Sequence, residues 1–122
     1  MRQCLIVDDS NIIRKVARKI LEDLRYEVIE AESGSQALEL CAGTLPDAIL
    51  LDWHMPDMMG LETLQKLRTG SEDRKPYIVY AITENDGSEI TRAMTAGADD
   101  YVLKPYDRRD LEAKFSATSD FA

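Results

Sequence analysis

Basic residues are scarce in this chain: 15 Lys and Arg stand against 23 Asp and Glu, a net charge of −8 over 122 residues. Nonspecific nucleic-acid binding needs a positive surface to displace counterions from the phosphate backbone, so the charge argues against that class. It argues equally against docking on anionic lipid. There are only two cysteines, Cys4 and Cys41, in apolar contexts and without a CxxC or Cys/His spacing. That pattern excludes a zinc site and reads as two buried, reduced thiols in a reducing compartment. No GxxxxGK[ST], GxGxxG or GxSxG occurs, which removes P-loop, dinucleotide and hydrolase-elbow sites. The one histidine, His54, has no evident nucleophile to activate. No apolar run approaches the roughly 20 residues of a membrane span, and Asp8 and Asp9 cut the N-terminal apolar stretch short of signal-peptide length. The expectation is a cytoplasmic protein with no membrane contact.

What is present suits one soluble domain. The hydrophobic fraction is 44% and the charged fraction 31%. A chain of this size buries roughly two-thirds of its unfolded surface, enough for a single core. We expect one domain over 1–122, with its core at about 2–115 and a frayed tail at 116–122. No repeat or linker interrupts it.

Short apolar runs ended by turn residues recur along the chain and read as buried strands. They are Cys4 to Val7, Tyr26 to Ile29, Ala48 to Leu51, Tyr77 to Ile82 and Tyr101 to Leu103. Helical periodicity fills the gaps. Ser10 can cap a first helix with Ile13, Val16, Ala17, Ile20 and Leu24 inward. Ser33 to Gln36 has capping-box spacing before a helix carrying Ala37, Leu38 and Cys41. Leu61, Leu64 and Leu67 mark a third helix, stopped by Gly70 and Ser71. Ile90, Ala93 and Met94 mark a fourth, stopped by Gly97. Asp107 can cap a fifth with Leu111 and Phe115 inward.

Strands that are apolar throughout, alternating with helices, predict an α/β fold with a parallel sheet covered on both faces. The common solution is a doubly wound five-stranded sheet in the order 2-1-3-4-5, which binds ligands where the strand order reverses, between strands 1 and 3. Asp8 and Asp9 leave strand 1, Asp52 leaves strand 3, and Lys104 leaves strand 5. Three converging carboxylates need a positive charge among them. Mg²⁺ suits hard oxygen ligands, and Lys104 supplies a compact cation that suits phosphate. A carboxylate can itself be the nucleophile and carry an aspartyl phosphate, and Asp52 is the best placed to do so.

Taken together, Leu5-Ile6-Val7-Asp8-Asp9-Ser10, Leu50-Leu51-Asp52-Trp53-His54-Met55-Pro56, Gly60, Ala96-Gly97-Ala98-Asp99-Asp100-Tyr101 and Lys104-Pro105 resemble a response-regulator receiver domain, of the single-domain chemotaxis (CheY-like) kind. The resemblance covers about residues 2 to 115. It implies that Asp52 accepts a phosphoryl group from a phosphohistidine on a histidine kinase or histidine phosphotransfer protein. It implies that Asp9, Asp52 and the backbone carbonyl of His54 hold Mg²⁺, with Asp8 acting mainly through water. Lys104 would pair with the phosphoryl group, and Lys104-Pro105 would be a cis peptide. Tyr101 falls where receivers carry a rotating aromatic switch, so the face of helix 4, strand 5 and helix 5 would meet a downstream protein target. His54 and Glu84 flank the site where receivers tune the lifetime of the phosphoryl group. The chain would be a monomeric signalling switch, not an enzyme with a separate substrate.

One position departs from the pattern. Receivers place Thr or Ser at the end of strand 4, where its hydroxyl meets the phosphoryl group. Counting without gaps from Asp52 and from Lys104 puts Ile82 there, with Thr83 next. Either the switch hydroxyl is absent, or a local shift lets Thr83 serve. The ungapped count is the preferred reading, and it expects Thr83→Ala to change little. Two rival functions stay open: a flavodoxin-like Mg²⁺-dependent small-molecule enzyme or hydrolase, and a receiver that works unphosphorylated.

Overall fold

The computed structural model describes residues 2–55, 57–69, 76–83 and 87–116. Strands and helices alternate from end to end: β1 (Arg2–Val7), α1 (Asn11–Asp23), β2 (Tyr26–Ala31), α2 (Gly34–Gly43), β3 (Ala48–Asp52), α3 (Gly60–Thr69), β4 (Tyr77–Ile82), α4 (Gly87–Ala96), β5 (Asp100–Leu103) and α5 (Arg108–Phe115). All strand pairs are parallel, and the sheet order is β2-β1-β3-β4-β5. This is the doubly wound sheet that the apolar runs predict. Register is tight around the centre, with Val7 opposite Leu51 and Asp52 opposite Ala81.

Side chains alternate along each strand and so feed two cores. Leu5, Val7, Ile49, Leu51, Tyr80 and Ile82 face α2, α3 and α4, where Ala37, Leu64 and Ala93 meet them. Ile6, Leu50, Val79, Ala81 and Val102 face α1 and α5, where Ala17, Leu21, Leu111 and Phe115 meet them. Both faces are covered, which is why the strands read as unbroken apolar runs. Cys4 and Cys41 are free and buried among these residues, as expected.

The caps form locally. Ser10 Oγ accepts from the Ile13 N–H at 3.2 Å, and Ser33 Oγ accepts from the Gln36 N–H at 3.1 Å. The predicted box at Ser33 closes one residue early: the Gln36 side chain accepts from the Glu32 N–H at 2.8 Å, not from Ser33. A full reciprocal box joins Asp107 and Asp110 instead. Gly97, at φ +116°, ends α4 in the left-handed region as the sequence suggests.

Two predicted stripes are corrected. In α1 the buried residues are Arg14, Ala17, Ile20 and Leu21, while Val16 is 50% exposed. Arg14 takes the inward position because its guanidinium is bonded to the main chain at the end of β1 and to Glu30, so its apolar stem covers the sheet. In α4 only Ala93 is buried, and Met94, about 100° further round the helix, is exposed. The expected stop at Gly70 and Ser71 and the tail beyond residue 116 lie outside the described residues. Among the described residues no helix is long and apolar enough to cross a membrane.

Candidate functional site

The strand order reverses between β1 and β3, and the helices that follow them leave to opposite faces. A crevice opens there, and it is formed by main chain from both strand ends. Asp52 is the last residue of β3 and is 3% exposed. Asp8 follows β1 and is 2% exposed. Asp9, beside it, is exposed. Carboxylate oxygens of all three lie within 4.8 Å of one another.

Each acid is held by its neighbours. The Asp8 N–H donates to the Ala31 carbonyl at 3.1 Å, and Asp8 Oδ1 accepts from the Ser10 N–H at 2.9 Å. Arg14 Nη1 donates to the Asp8 carbonyl at 2.7 Å, and Arg14 Nε to Glu30 at 2.9 Å. Behind Asp52 the chain turns sharply, and the Gly60 N–H donates back to the Trp53 carbonyl at 2.9 Å. A Cβ at Gly60 would stand 2.4 Å from the Asp52 carbonyl oxygen and 2.6 Å from Trp53 Cα, so only glycine fits.

Lys104 enters from β5. Its N–H donates to the Ile82 carbonyl at 2.6 Å, and the Lys104–Pro105 peptide is cis. Its ammonium lies 3.0 Å from Asp8 Oδ2 and 3.1 Å from Asp52 Oδ1. Burial pushes the Asp52 carboxyl up to about 6, and the negative charge of Asp8 adds to this while Lys104 opposes it. Burial works against the Lys104 ammonium, but the charges of Asp52 and Asp8 outweigh it and hold the group above its ordinary range. The crevice is therefore rich in negative charge and short of positive charge. Hard oxygen donors crowded this closely fit Mg²⁺, which binds through carboxylates and keeps several waters.

The other expected residues divide into three groups. His54, Thr83 and Trp53 line a cleft of about 370 Å³ together with Asp9, Asp52 and Lys104. The His54 ring lies against Trp53, with centroids 5.3 Å apart. Ile82 does not reach that cleft; it is fully buried in the core beneath α2, α3 and α4. Tyr101 is half-buried against that same core, with the Lys114 ammonium 5.5 Å from its ring centroid. Glu84 lies outside the described residues.

Several supports escape sequence reasoning. Arg14 and Glu30 buttress Asp8 from α1 and β2. Asp57 accepts from the Gly34 and Ser35 N–H groups at 3.3 and 3.2 Å, so the loop after β3 is tied to the start of α2. Its carboxyl is held below the usual range by the Ser35 hydroxyl and these amides. The buried Tyr80 hydroxyl donates to Glu89 Oε1 at 3.2 Å and links β4 to α4. Only Arg14 left a trace in the sequence, as a base three residues before Ala17 on the inward stripe.

Three acids and a lysine thus meet at the reversal point of a doubly wound parallel sheet, the arrangement that the receiver resemblance implies. Comparison with known proteins agrees. Residues 4–116 match the family described as the response regulator receiver domain. The chain is 37% identical over 112 residues to chemotaxis protein CheY1 of Helicobacter pylori, covering 90% of each chain. It is 40% identical over 114 residues to response regulator MprA of a Mycobacterium species, covering 93% of this chain and 48% of that protein. Its fold is similar to the high-resolution structure of chemotaxis response regulator CheY4 of Vibrio cholerae, with TM-score 0.90, 30% identity and 97% and 98% of the two chains covered. The chain belongs to the response regulator receiver domain family. It is thus a CheY-type component of two-component signalling, a family of switches and not of conventional enzymes, whose members bind Mg²⁺ at an Asp cluster such as Asp8, Asp9 and Asp52.

Proposed function

We propose that this chain is a phosphoaspartate switch with Asp52 as the acceptor. The observation that carries the reading is the Lys104 ammonium, bonded at once to Asp52 and Asp8 beside Asp9 at the sheet's reversal point. A phosphohistidine on a histidine kinase or phosphotransfer protein is the donor. An Asp52 carboxylate oxygen attacks phosphorus, a P–O bond forms and the P–N bond breaks. The electron pair leaves with the imidazole, which takes up a proton from solvent. With its carboxyl near 6, Asp52 is ionised and nucleophilic at neutral pH. Water attacking the phosphorus later releases phosphate and resets the switch.

Asp9, Asp52 and the His54 carbonyl would hold Mg²⁺, with Asp8 acting through water; the ion would neutralise charge on the transferring group. Lys104 pairs with a phosphoryl oxygen and so gives up part of its bond to Asp8. Phosphorylation replaces the single negative charge of the Asp52 carboxylate by about two on the phosphoryl group, a net gain of about one at the end of β3. That charge biases the loops after β3 and β4, and through them the face of α4, β5 and α5. Tyr101, exposed Met94 and exposed Leu103 lie on these elements and supply apolar surface for a downstream protein. His54 lines the cleft, which supports a role in setting how readily water reaches the phosphorus; Glu84 is assigned the same role on its position in the chain alone.

The test uses the single tryptophan, Trp53, next to Asp52. Mg²⁺ should change its fluorescence, and acetyl phosphate or beryllofluoride should change it again, the second change being lost in Asp52→Asn. Steady turnover of a phosphate ester that survives Asp52→Asn would establish the rival small-molecule enzyme. A response to Mg²⁺ but none to either phosphoryl probe would establish a receiver that works unphosphorylated.

A further inference from the structure

Ile82 stands where receivers carry a strand-4 hydroxyl, and its buried alkyl side chain offers a phosphoryl oxygen nothing. The structure brings another hydroxyl, that of Thr83, to the cleft without any slip in register. Along β4, Ile78, Tyr80 and Ile82 face one core while Val79 and Ala81 face the other. Thr83 continues the second series. So do Asp52, two residues after Leu50 on β3, and Lys104, two residues after Val102 on β5. Three neighbouring strand ends thus present a carboxylate, a hydroxyl and an ammonium on one side of the sheet, and all three line the same cleft.

The hydroxyl is also oriented. Trp53 Nε1–H donates to Thr83 Oγ1 at 2.9 Å. An indole nitrogen only donates, whereas a threonine hydroxyl has one proton to give and two lone pairs to receive. The bond therefore fills a lone pair and leaves the Thr83 proton free. Among the described residues nothing accepts that proton. It is available to an anion entering the cleft.

We propose that Thr83 donates this hydrogen bond to a phosphoryl oxygen on Asp52, and that Trp53 is the positioning residue that aims it. The proposal rests on Asp52 being the phosphoacceptor. It has a consequence for signalling. Tyr101 packs against the core under α4, on the opposite side of the sheet from Thr83. Movement of Thr83 therefore passes first to Trp53 and the loop after β3, not directly to Tyr101.

Calorimetric titration of the Mg²⁺-loaded full chain with beryllofluoride tests this. Thr83→Val should weaken binding about tenfold or more, the loss expected for a hydrogen bond to a charged group. Thr83→Ser, which keeps the hydroxyl, should stay within about threefold of the wild type. Trp53→Phe should weaken binding severalfold, and adding it to Thr83→Val should cost nothing further, because the two residues act through one bond. Mg²⁺ affinity without beryllofluoride should be the same in all of these, which a merely misfolded variant would not show. If Thr83→Val binds like the wild type while Asp52→Asn loses binding, this assignment falls and the phosphoaspartate reading stands. Additive losses in the double variant overturn the role of Trp53. If the wild type itself does not bind beryllofluoride, both readings fall together.

Discussion

Gly60 and Asp52 are pressed together at the turn behind the site, with a Cβ at residue 60 placed 2.4 Å from the Asp52 carbonyl oxygen. The obstacle is main chain on both sides, Asp52 and Trp53, with the Tyr80 ring 2.9 Å away as a third wall. None of these is the free end of a flexible side chain. Gly60→Ala should therefore move the end of β3, at a cost of roughly 1–3 kcal/mol for overpacking. Because the moved residue is Asp52, Mg²⁺ affinity should fall as well. Urea unfolding and a Trp53 fluorescence titration with Mg²⁺ measure the two effects. Normal affinity in a destabilised protein would show that the turn can give without shifting the carboxylate.

Arg14 supports the other acid from behind. Its Nη1 donates to the Asp8 carbonyl at 2.7 Å, and its Nε pairs with Glu30 at 2.9 Å. Arg14→Met keeps the apolar stem and removes every donor. The Asp8 carbonyl then loses its side-chain donor while Glu30 keeps Arg18, so the cost is roughly 1–3 kcal/mol for the one buried group left unsatisfied. Stability should fall by that order in urea. Mg²⁺ should bind more weakly, since Asp8 loses one of the bonds that hold its main chain and keeps only that to Ala31. An unchanged Mg²⁺ titration would confine Arg14 to folding.

Much of this was legible in the sequence because its causes are local. Ser10, Ser33 and Asp107 cap helices through bonds to residues three away, and the apolar runs mark their own strands. Asp8, Asp52 and Lys104 were legible because a strand end and a sheet order suffice to bring them together. What escaped depends on register between distant segments. Arg14 meets Glu30 across 16 positions, Ser35 meets Asp57 across 22, and Trp53 meets Thr83 across 30. Helical periodicity alone turns Val16 inward, because it cannot tell that Arg14 takes the neighbouring seat. That Ile82 lies in the core while Thr83 lines the cleft depends on which side of the sheet each faces, and the ungapped count does not contain that.

Lys104 bridges both buried acids, its ammonium within salt-bridge distance of Asp8 and of Asp52. Lys104→Met leaves two buried carboxylates facing each other. Breaking a buried pair costs about 3–5 kcal/mol, so the metal-free variant should be markedly less stable at neutral pH. Mg²⁺ would then supply the missing charge. Its stabilising effect, which grows with affinity, should be larger in the variant than in the wild type. Calorimetric melting with and without Mg²⁺ reads this directly. Equal Mg²⁺ shifts in both proteins would mean that Lys104 does not compete with the metal for the acids.

Asp52 should make the metal-free protein less stable as pH rises. Its carboxyl is pushed from 3.8 in the unfolded chain up to about 6 in the fold, so the native state binds this proton more tightly. The contribution is complete below about pH 4, is lost as pH climbs towards 6, and is flat above that. Two pKa units correspond to about 3 kcal/mol. Asp52→Asn is neutral at every pH and escapes the loss. Compared with the wild type in metal-free buffer, it should gain up to about 3 kcal/mol at about pH 7.5 and almost nothing at about pH 4. Taking the difference between the two proteins cancels the titration of carboxylates remote from Asp52. Saturating Mg²⁺ should reverse the order at neutral pH, because the ion stabilises the ionised carboxylate and the neutral amide of the variant is a poorer ligand. An Asp52→Asn advantage that is the same at acid and at neutral pH would show that packing, not charge, separates the two proteins.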